Sequence, residues 1–287
     1  EPGQAVLTAG LGAAGALTAA VRTRASAPAS EVVGTISGTP KQTDTGAYLV
    51  RVRVPGNPST TPVFADELPD GAVSGAQVVG RGVSKESGVP GVNPFVFDGH
   101  VEVLGPPEGL AAFAHHVRST FAAAVEAQVG EGARGLIPGM VLGDVSLQPA
   151  TEQQTYIDTG LSHLSAVSGA NIAIVATFAT VAAAAIGAGL RGRIAASAVA
   201  LLIYAALVGP EPSVLRASVS GLVGLVAVLA SRQAEPIHAL CLSVVGLVLV
   251  DSDLAVHYGF ALSVAATAGI VALYPLLYRA LAVTGWP

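Results

Sequence analysis

The chain is written in two hydrophobic periods. From Glu31 to Gly105 apolar and polar positions alternate, as in strands with one buried face. "YLVRVRV" is the clearest case: Tyr48, Val50, Val52 and Val54 fall on one side, Leu49, Arg51 and Arg53 on the other. "EVVGTISG" at Glu31, "AQVVGRGVS" at Ala76 and "GHVEVLG" at Gly99 repeat the pattern, separated by clusters of Gly, Pro, Asp and Asn. From Leu110 the period becomes helical. Leu110, Phe113, Ala114, Val117, Phe121, Ala124 and Val125 form a stripe, with His116, Arg118, Ser119 and Glu126 off it. That helix is too polar to span a bilayer, so it is expected to lie on a membrane surface or to pack against a membrane domain.

Beyond residue 160 the pattern changes again, to apolar runs over roughly 161–188, 194–208, 213–230, 237–250 and 258–278. Some are short for a hydrocarbon core of about 30 Å, which tilt or cavity-lining positions accommodate. The fold class expected is therefore a multi-pass α-helical membrane domain preceded by a small all-β, OB-like barrel. Its parts are a membrane helix and linker over 1–30, the barrel over 31–107, interfacial helices over 108–160 and a partial membrane domain over 161–287. The first helix, Val6 to Val21, lacks the basic flank of a signal peptide and is expected to be clipped at its start.

Composition narrows this further. With 52% hydrophobic residues, 11% charged residues and a mean hydropathy of +0.63, part of the chain lives in lipid. A net charge of −5 excludes nucleic-acid binding by bulk electrostatics, so any such role must be local. One cysteine, Cys241, excludes an intrachain disulfide and a cysteine-type zinc site. The barrel segment holds five Lys or Arg against eight Asp or Glu. Arg51, Arg53, Arg81, Phe64, Phe95 and Phe97 have the chemistry of a strand-binding surface, but a solvated face over core aromatics is the plainer account. His115 and His116 read as interfacial side chains.

The connectors orient the membrane domain. Arg191 and Arg193, Arg232 and Arg279 follow the first, third and fifth runs, whereas Glu211 and then Asp251 and Asp253 follow the second and fourth. By the positive-inside rule the basic side is cytoplasmic and the barrel lies outside. Arg22 and Arg24 run against that rule.

One stretch does not belong in lipid. "GLSHLSAVSGANIAIV", from Gly160, carries Ser162, His163, Ser165, Ser168 and Asn171 around Gly169. As a continuous helix it would place Ser162, Ser165 and Gly169 on one face, flanked by Ser168 and Asn171, with His163 pointing away. Unpaired polar groups facing hydrocarbon cost several kcal/mol, so the stretch is buried in protein, lines water, or is broken near Gly169.

"GLIPGMVLGD" at Gly135, "TYIDTGLSHLSAVSGANIAIV" at Thr155, "GPEPSVLRASV" at Gly209 and "HYGFALSVAATAGI" at His257 resemble, in this order, successive blocks of the ComEC competence-protein family. The resemblance implies an inner-membrane channel component that passes single-stranded DNA into the cytoplasm during natural transformation. It further implies membrane lipids, a DNA receptor and a cytoplasmic strand-translocation protein as partners, and no cofactor. The implied DNA path comprises His163, Ser165, Ser168, Gly169, Asn171 and Arg216. Asp144 and Glu211 stand at its entrance.

A polyanion crossing a bilayer needs a wet corridor with donors for phosphate oxygens, which Ser, Asn and His supply. Arg216, about one turn inside its span, suits a phosphate contact at the outer mouth; snorkelling to lipid or pairing with Glu211 are the alternatives. Pro210 and Pro212 shape that mouth. Asp144 caps a helix or holds a cation, and Asp253 is spaced to pair with His257.

Many family members continue into a metallo-β-lactamase-like domain, but the histidines at 100, 115, 116, 163, 238 and 257 do not build its His-x-His-x-Asp-His motif. No enzymatic activity is expected of this chain. Two other classes stay open. An intramembrane serine hydrolase would use Ser168 with His163, His238 or His257 as base, yet His163 and Ser168 sit about 140° apart on a helix. A small-molecule exporter would use the same polar stretch as a midplane site.

Overall fold

A computed structural model describes residues 2–25, 30–43, 45–57, 59–88, 91, 93–161, 167–230 and 235–283. The alternating segment forms six strands: β1 (Glu31–Ile36), β2 (Lys41–Gln42), β3 (Tyr48–Arg53), β4 (Thr60–Ala65), β5 (Gln77–Glu86) and β6 (Phe95–Gly105). The sheet order is β1-β5-β6-β4-β3-β2, and β1 also pairs with β3. Five strands thus close on themselves while β2 flanks β3. The pairing of β4 with β6 is parallel and the others are antiparallel.

Alternation fills the barrel. Val50 and Val52 of β3, Val63 of β4, Val78 of β5 and Phe97 of β6 are buried in one cluster. Each contributes about 1.5–3 kcal/mol by leaving water. Glycines let the long strands bend enough to close: a Cβ on Gly82 would run into the Asp98 carbonyl, and one on Gly99 into the Arg81 carbonyl. Alternation in the sequence marks four of these strands. The other two, β2 and β4, are short or broken by Pro62, which weakens their alternation.

The core position of Phe97 removes it from any strand-binding role on the surface. Arg81 is likewise engaged, with Glu31 at 3.4 Å and Glu102 at 3.2 Å, and Lys85 pairs with Asp98 at 2.5 Å. These contacts lie on exposed cross-strand neighbours, where each is worth a few tenths of a kcal/mol to about 1 kcal/mol.

The helices are α1 (Pro2–Ala25), α2 (Gly109–Gln128), α3 (Glu131–Arg134), α4 (Leu136–Leu142), α5 (Ala150–Asp158), α6 (Gly169–Ala185), α7 (Leu190–Val208), α8 (Pro212–Leu229), α9 (Pro236–Val250) and α10 (Tyr258–Val283), with a 3-10 turn at Ser252–Val256. Among the described residues three stretches are long and apolar enough to cross a membrane: Leu190–Val208, Pro212–Leu229 and Tyr258–Arg279. The helices α6 and α9 are apolar but shorter. The five apolar runs of the sequence map onto α6 to α10. The first differs: among the described residues its helix starts at Gly169, not near 161.

Small and hydroxyl-bearing side chains join the bundle, as expected where lipid provides no hydrophobic drive between helices. Ser197 on α7 meets Thr180 Oγ1 on α6 at 2.5 Å and donates to the Ala176 carbonyl at 2.9 Å. Ser220 on α8 donates to Ser243 on α9 at 2.7 Å. A Cβ on Gly221 would come within 3.2 Å of Leu201, so α8 approaches α7 closely because that position is glycine.

Helix α2 packs on α7 and α4, but through Ala114, Arg118, Ala122 and Val125. The predicted stripe is therefore rotated: Arg118 turns inward while Leu110 and Phe113 stay exposed. Periodicity alone treats arginine as outward-facing and does not see the loop carboxylate that welcomes it. Arg22 at the end of α1 also has a specific station. Its guanidinium donates to Ser252 Oγ at 2.9 Å and to the Leu249 carbonyl at 2.8 Å, so it caps the end of α9. That contact accounts for a basic residue placed against the charge rule.

Candidate functional site

The polar stretch is not helical at Gly160, Leu161, Val167 and Ser168, the described residues that precede α6. Gly160 has φ 71°, which reverses the chain after α5, and Ser168 is extended, with φ −98° and ψ 158°. Helix α6 begins one residue later. The sequence left three alternatives open, and the break near Gly169 is the one the backbone takes. The helical-wheel relation between Ser168 and Asn171 is corrected accordingly, because Ser168 lies outside the helix. His163 and Ser165 fall outside the described residues.

Three hydrogen bonds fix what surrounds the break. Asn171 Nδ2 donates to the Met140 carbonyl at 2.7 Å, and Tyr204 Oη donates to the Val141 carbonyl at 2.6 Å. Both acceptors sit in the last turn of α4, whose orphan carbonyls need partners. Ser213 Oγ, in the first turn of α8, donates to the Val167 carbonyl at 2.9 Å. The end of α4, the start of α6 and the start of α8 are thus tied together. Gly143 terminates α4 with φ 70°, and its N–H donates to the Gly139 carbonyl at 2.9 Å. A Cβ there would touch Val167 and Val208 at 3.4 Å.

Arg216 projects from α8 into this junction and is only 6% exposed. Its Nε donates to Ser263 Oγ on α10 at 2.9 Å. Its Nη2 lies 3.4 Å from where a Cβ on Gly169 would be. Among the described residues Arg216 forms no ion pair, so pairing with Glu211 is not what holds it. Snorkelling is excluded by its burial. Glu211 instead provides backbone for the α8 entry, where Leu215 N–H donates to its carbonyl at 2.9 Å.

Asp144 does not cap α5, whose N-cap is Pro149, and among the described residues it belongs to no cluster of acids that could hold a cation. Its Oδ1 accepts from the Ser146 N–H at 3.0 Å and closes a turn. It also acts electrostatically on Arg118, whose guanidinium is pushed below its ordinary value by burial, with Asp144 working in the opposite direction.

Among the described residues the buried His257 Nδ1 has no hydrogen-bond partner. Burial lowers its pKa, helped by Arg51 and Lys41 of the barrel and opposed by Glu211 and Asp251. A barrel loop comes close to the same region, since a Cβ on Gly91 would lie 3.4 Å from Asp253 Oδ1. His238 pairs with Glu235 at 3.2 Å. Ser168 Oγ reaches Asn171 Oδ1 at 3.4 Å and no described histidine.

The structure thus assembles Ser168, Gly169, Asn171 and Arg216 at one junction and places Asp144 and Glu211 in the loops beside it. Tyr204, Ser213 and Ser263 complete the junction and were not singled out in the sequence. Ser263 lies within "GFALS", and the hydroxyl in that apolar block was the available signal. A family model described as competence protein matches residues 140–287, just over half of the chain. No curated protein matches, and no solved structure does.

Proposed function

The chain belongs to the competence protein family, whose role is in DNA uptake at the membrane, and on that premise we propose that it is a component of an inner-membrane channel passing single-stranded DNA into the cytoplasm. The observation that carries the reading is the break before α6. Ser168 is extended and exposed within a block that hydropathy alone would assign to lipid. Irregular polar backbone at membrane depth is tolerated where it is buried in protein or lines a water-filled cavity, and a hydrated strand requires the second.

In this reading the bundle is multi-pass, its basic connectors face the cytoplasm and the OB-like barrel stands outside. His163, Ser165, Ser168, Gly169, Asn171 and Arg216 border the path, with Asp144 and Glu211 near the entrance. The strand meets donors and a guanidinium before it meets the apolar bodies of α6 and α8. The chain performs transport without bond chemistry, and receptor and strand-translocating proteins act on either side of it.

The test is uptake of a labelled strand by cells carrying the full-length gene with Ser168→Leu, with insertion checked by blot. Ser168 is exposed, so leucine fits without steric cost, yet it dewets the path. Internalised label is expected to vanish while surface-bound label persists. Normal uptake in Ser168→Leu overturns the reading. Loss with Ser168→Ala but not with Ser168→Thr points to a hydroxyl nucleophile and overturns it in favour of hydrolysis.

A further inference from the structure

Two positive features face each other at the head of α6, and no described carboxylate answers them. The first is the amino terminus of α6, a helix of 17 residues. Ser168 makes no side-chain cap, and the amides of Gly169 and Ala170 find no acceptor among the described residues. Unsatisfied amides and the aligned peptide dipoles leave roughly half a positive charge there. The second is Arg216, 6% exposed, held through Nε by Ser263 at 2.9 Å. Its Nη2 is aimed at Gly169, 3.4 Å from the position of a Cβ. Neither Nη group donates to a described residue.

A buried guanidinium opposite a helix amino terminus is repelled by it, and low surrounding polarity strengthens that repulsion. An oxyanion between them reverses the sign of both interactions. We infer that the α6 amino terminus and Arg216 form a binding site for a single phosphodiester group, an assignment that rests on the transport reading above. One guanidinium plus half a helix charge matches a monoanion. A phosphomonoester dianion would be left partly uncompensated. Ser263 is a positioning residue: by occupying Nε it fixes the guanidinium plane and leaves both Nη groups for the ligand. Gly169 is part of the site because it has no side chain. A methyl there would stand 3.4 Å from Nη2 and 3.3 Å from the Ala217 Cβ, in the space the oxyanion needs.

A strand and a phospholipid headgroup both present this chemistry, so the experiment uses a probe for each. The detergent-solubilised full chain is titrated with thymidylyl-thymidine, with its uncharged methylphosphonate analogue and with glycerophosphoglycerol, reading the thermal midpoint. Thymidylyl-thymidine is expected to raise the midpoint and the methylphosphonate to leave it unchanged. Arg216→Gln is expected to weaken binding at least about tenfold, and Ser263→Ala about three- to tenfold with the charge retained. Gly169→Ala supplies a variant that keeps every donor and blocks the space, and it is expected to weaken binding as well. Stronger binding of glycerophosphoglycerol supports the phosphodiester site and assigns it to a headgroup. Equal binding of the methylphosphonate, or binding indifferent to all three variants, overturns the inference.

The outcome is separable from that of the transport reading. Probe binding that depends on Arg216, together with normal uptake in Ser168→Leu, keeps the site and removes the channel. Blocked uptake in Ser168→Leu without Arg216-dependent binding does the reverse.

Discussion

Replacing Arg216 by methionine should stabilise the protein while abolishing DNA uptake. The side chain is 6% exposed and among the described residues makes one hydrogen bond, from Nε to Ser263 at 2.9 Å. Losing that bond costs about 1.5–3 kcal/mol, since one partner is charged. Against this stands the desolvation of a guanidinium that no described carboxylate offsets, an effective penalty of several kcal/mol. Buried ions exchanged for apolar side chains of similar volume are neutral or favourable by about 1–4 kcal/mol, and here no broken partner charge is left behind. Methionine follows the same path as the arginine stem and fills it. The net expectation is a gain of about 1–3 kcal/mol, read as a rise of several degrees in the thermal midpoint of the detergent-solubilised chain. Arg216→Lys keeps the charge and should show no gain. A fall in the midpoint for Arg216→Met of the size seen when a buried pair is broken, about 3–5 kcal/mol, refutes the account, because it requires a counter-charge.

Two further outcomes follow from the same surroundings. Gly143→Ala forces a side chain into φ 70° at the end of α4 and should cost about 1–2 kcal/mol in thermal stability, with Gly143→Asn costing less; equal midpoints for alanine and glycine would show that α4 does not need its left-handed end. His257 is held below its ordinary value of 6.5 by burial, then by Arg51 and Lys41, so its contribution to stability is complete above that value. The contribution is lost as pH falls through 6.5 toward the lowered folded value, because there the unfolded chain binds the extra proton. Acidification should therefore lower the midpoint of the wild type more than that of His257→Gln, and parallel curves would refute it.

What the sequence makes legible is whatever depends on period. Strand alternation at Tyr48 to Val54 marks the barrel wall, and runs such as Leu190–Val208 mark their own span, because one local rule decides each. The polar stretch defeats such a rule. Its residues admit a continuous helix by propensity, and the break at Ser168 is decided by partners distant in sequence. Met140 accepts from Asn171 across 31 positions, and Val167 accepts from Ser213 across 46. Arg118 fails for the same reason, since its inward turn needs Asp144 in a loop beyond two helices. Arg22 is the mirror case: a charge rule meant for loops misjudges a side chain that caps another helix. Arg216 was legible as unusual from position alone, but its partner on α10 was not.

On the proposed transport of a DNA strand, a net charge of −5 is compatible with a polyanionic substrate because the charges are distributed by role. On the barrel, Arg81 and Lys85 are neutralised by Glu31, Glu102 and Asp98, so that face exerts little pull on a phosphate chain. Among the described residues of α6 to α10, Arg216 is the buried cation, and it meets the α6 amino terminus. Concentration at a single group is what the proposed conduction favours. A strand held by a row of buried cations would pass a deep well at every step, and each phosphate contact released would have to be regained by the next. One site that engages one phosphodiester lets the group behind displace the group ahead with little net change in energy, since binding must be strong enough for entry and weak enough for exit. A second arginine introduced one turn further along α8, at Ser220, should on this argument slow uptake rather than speed it, even as it tightens binding of the strand.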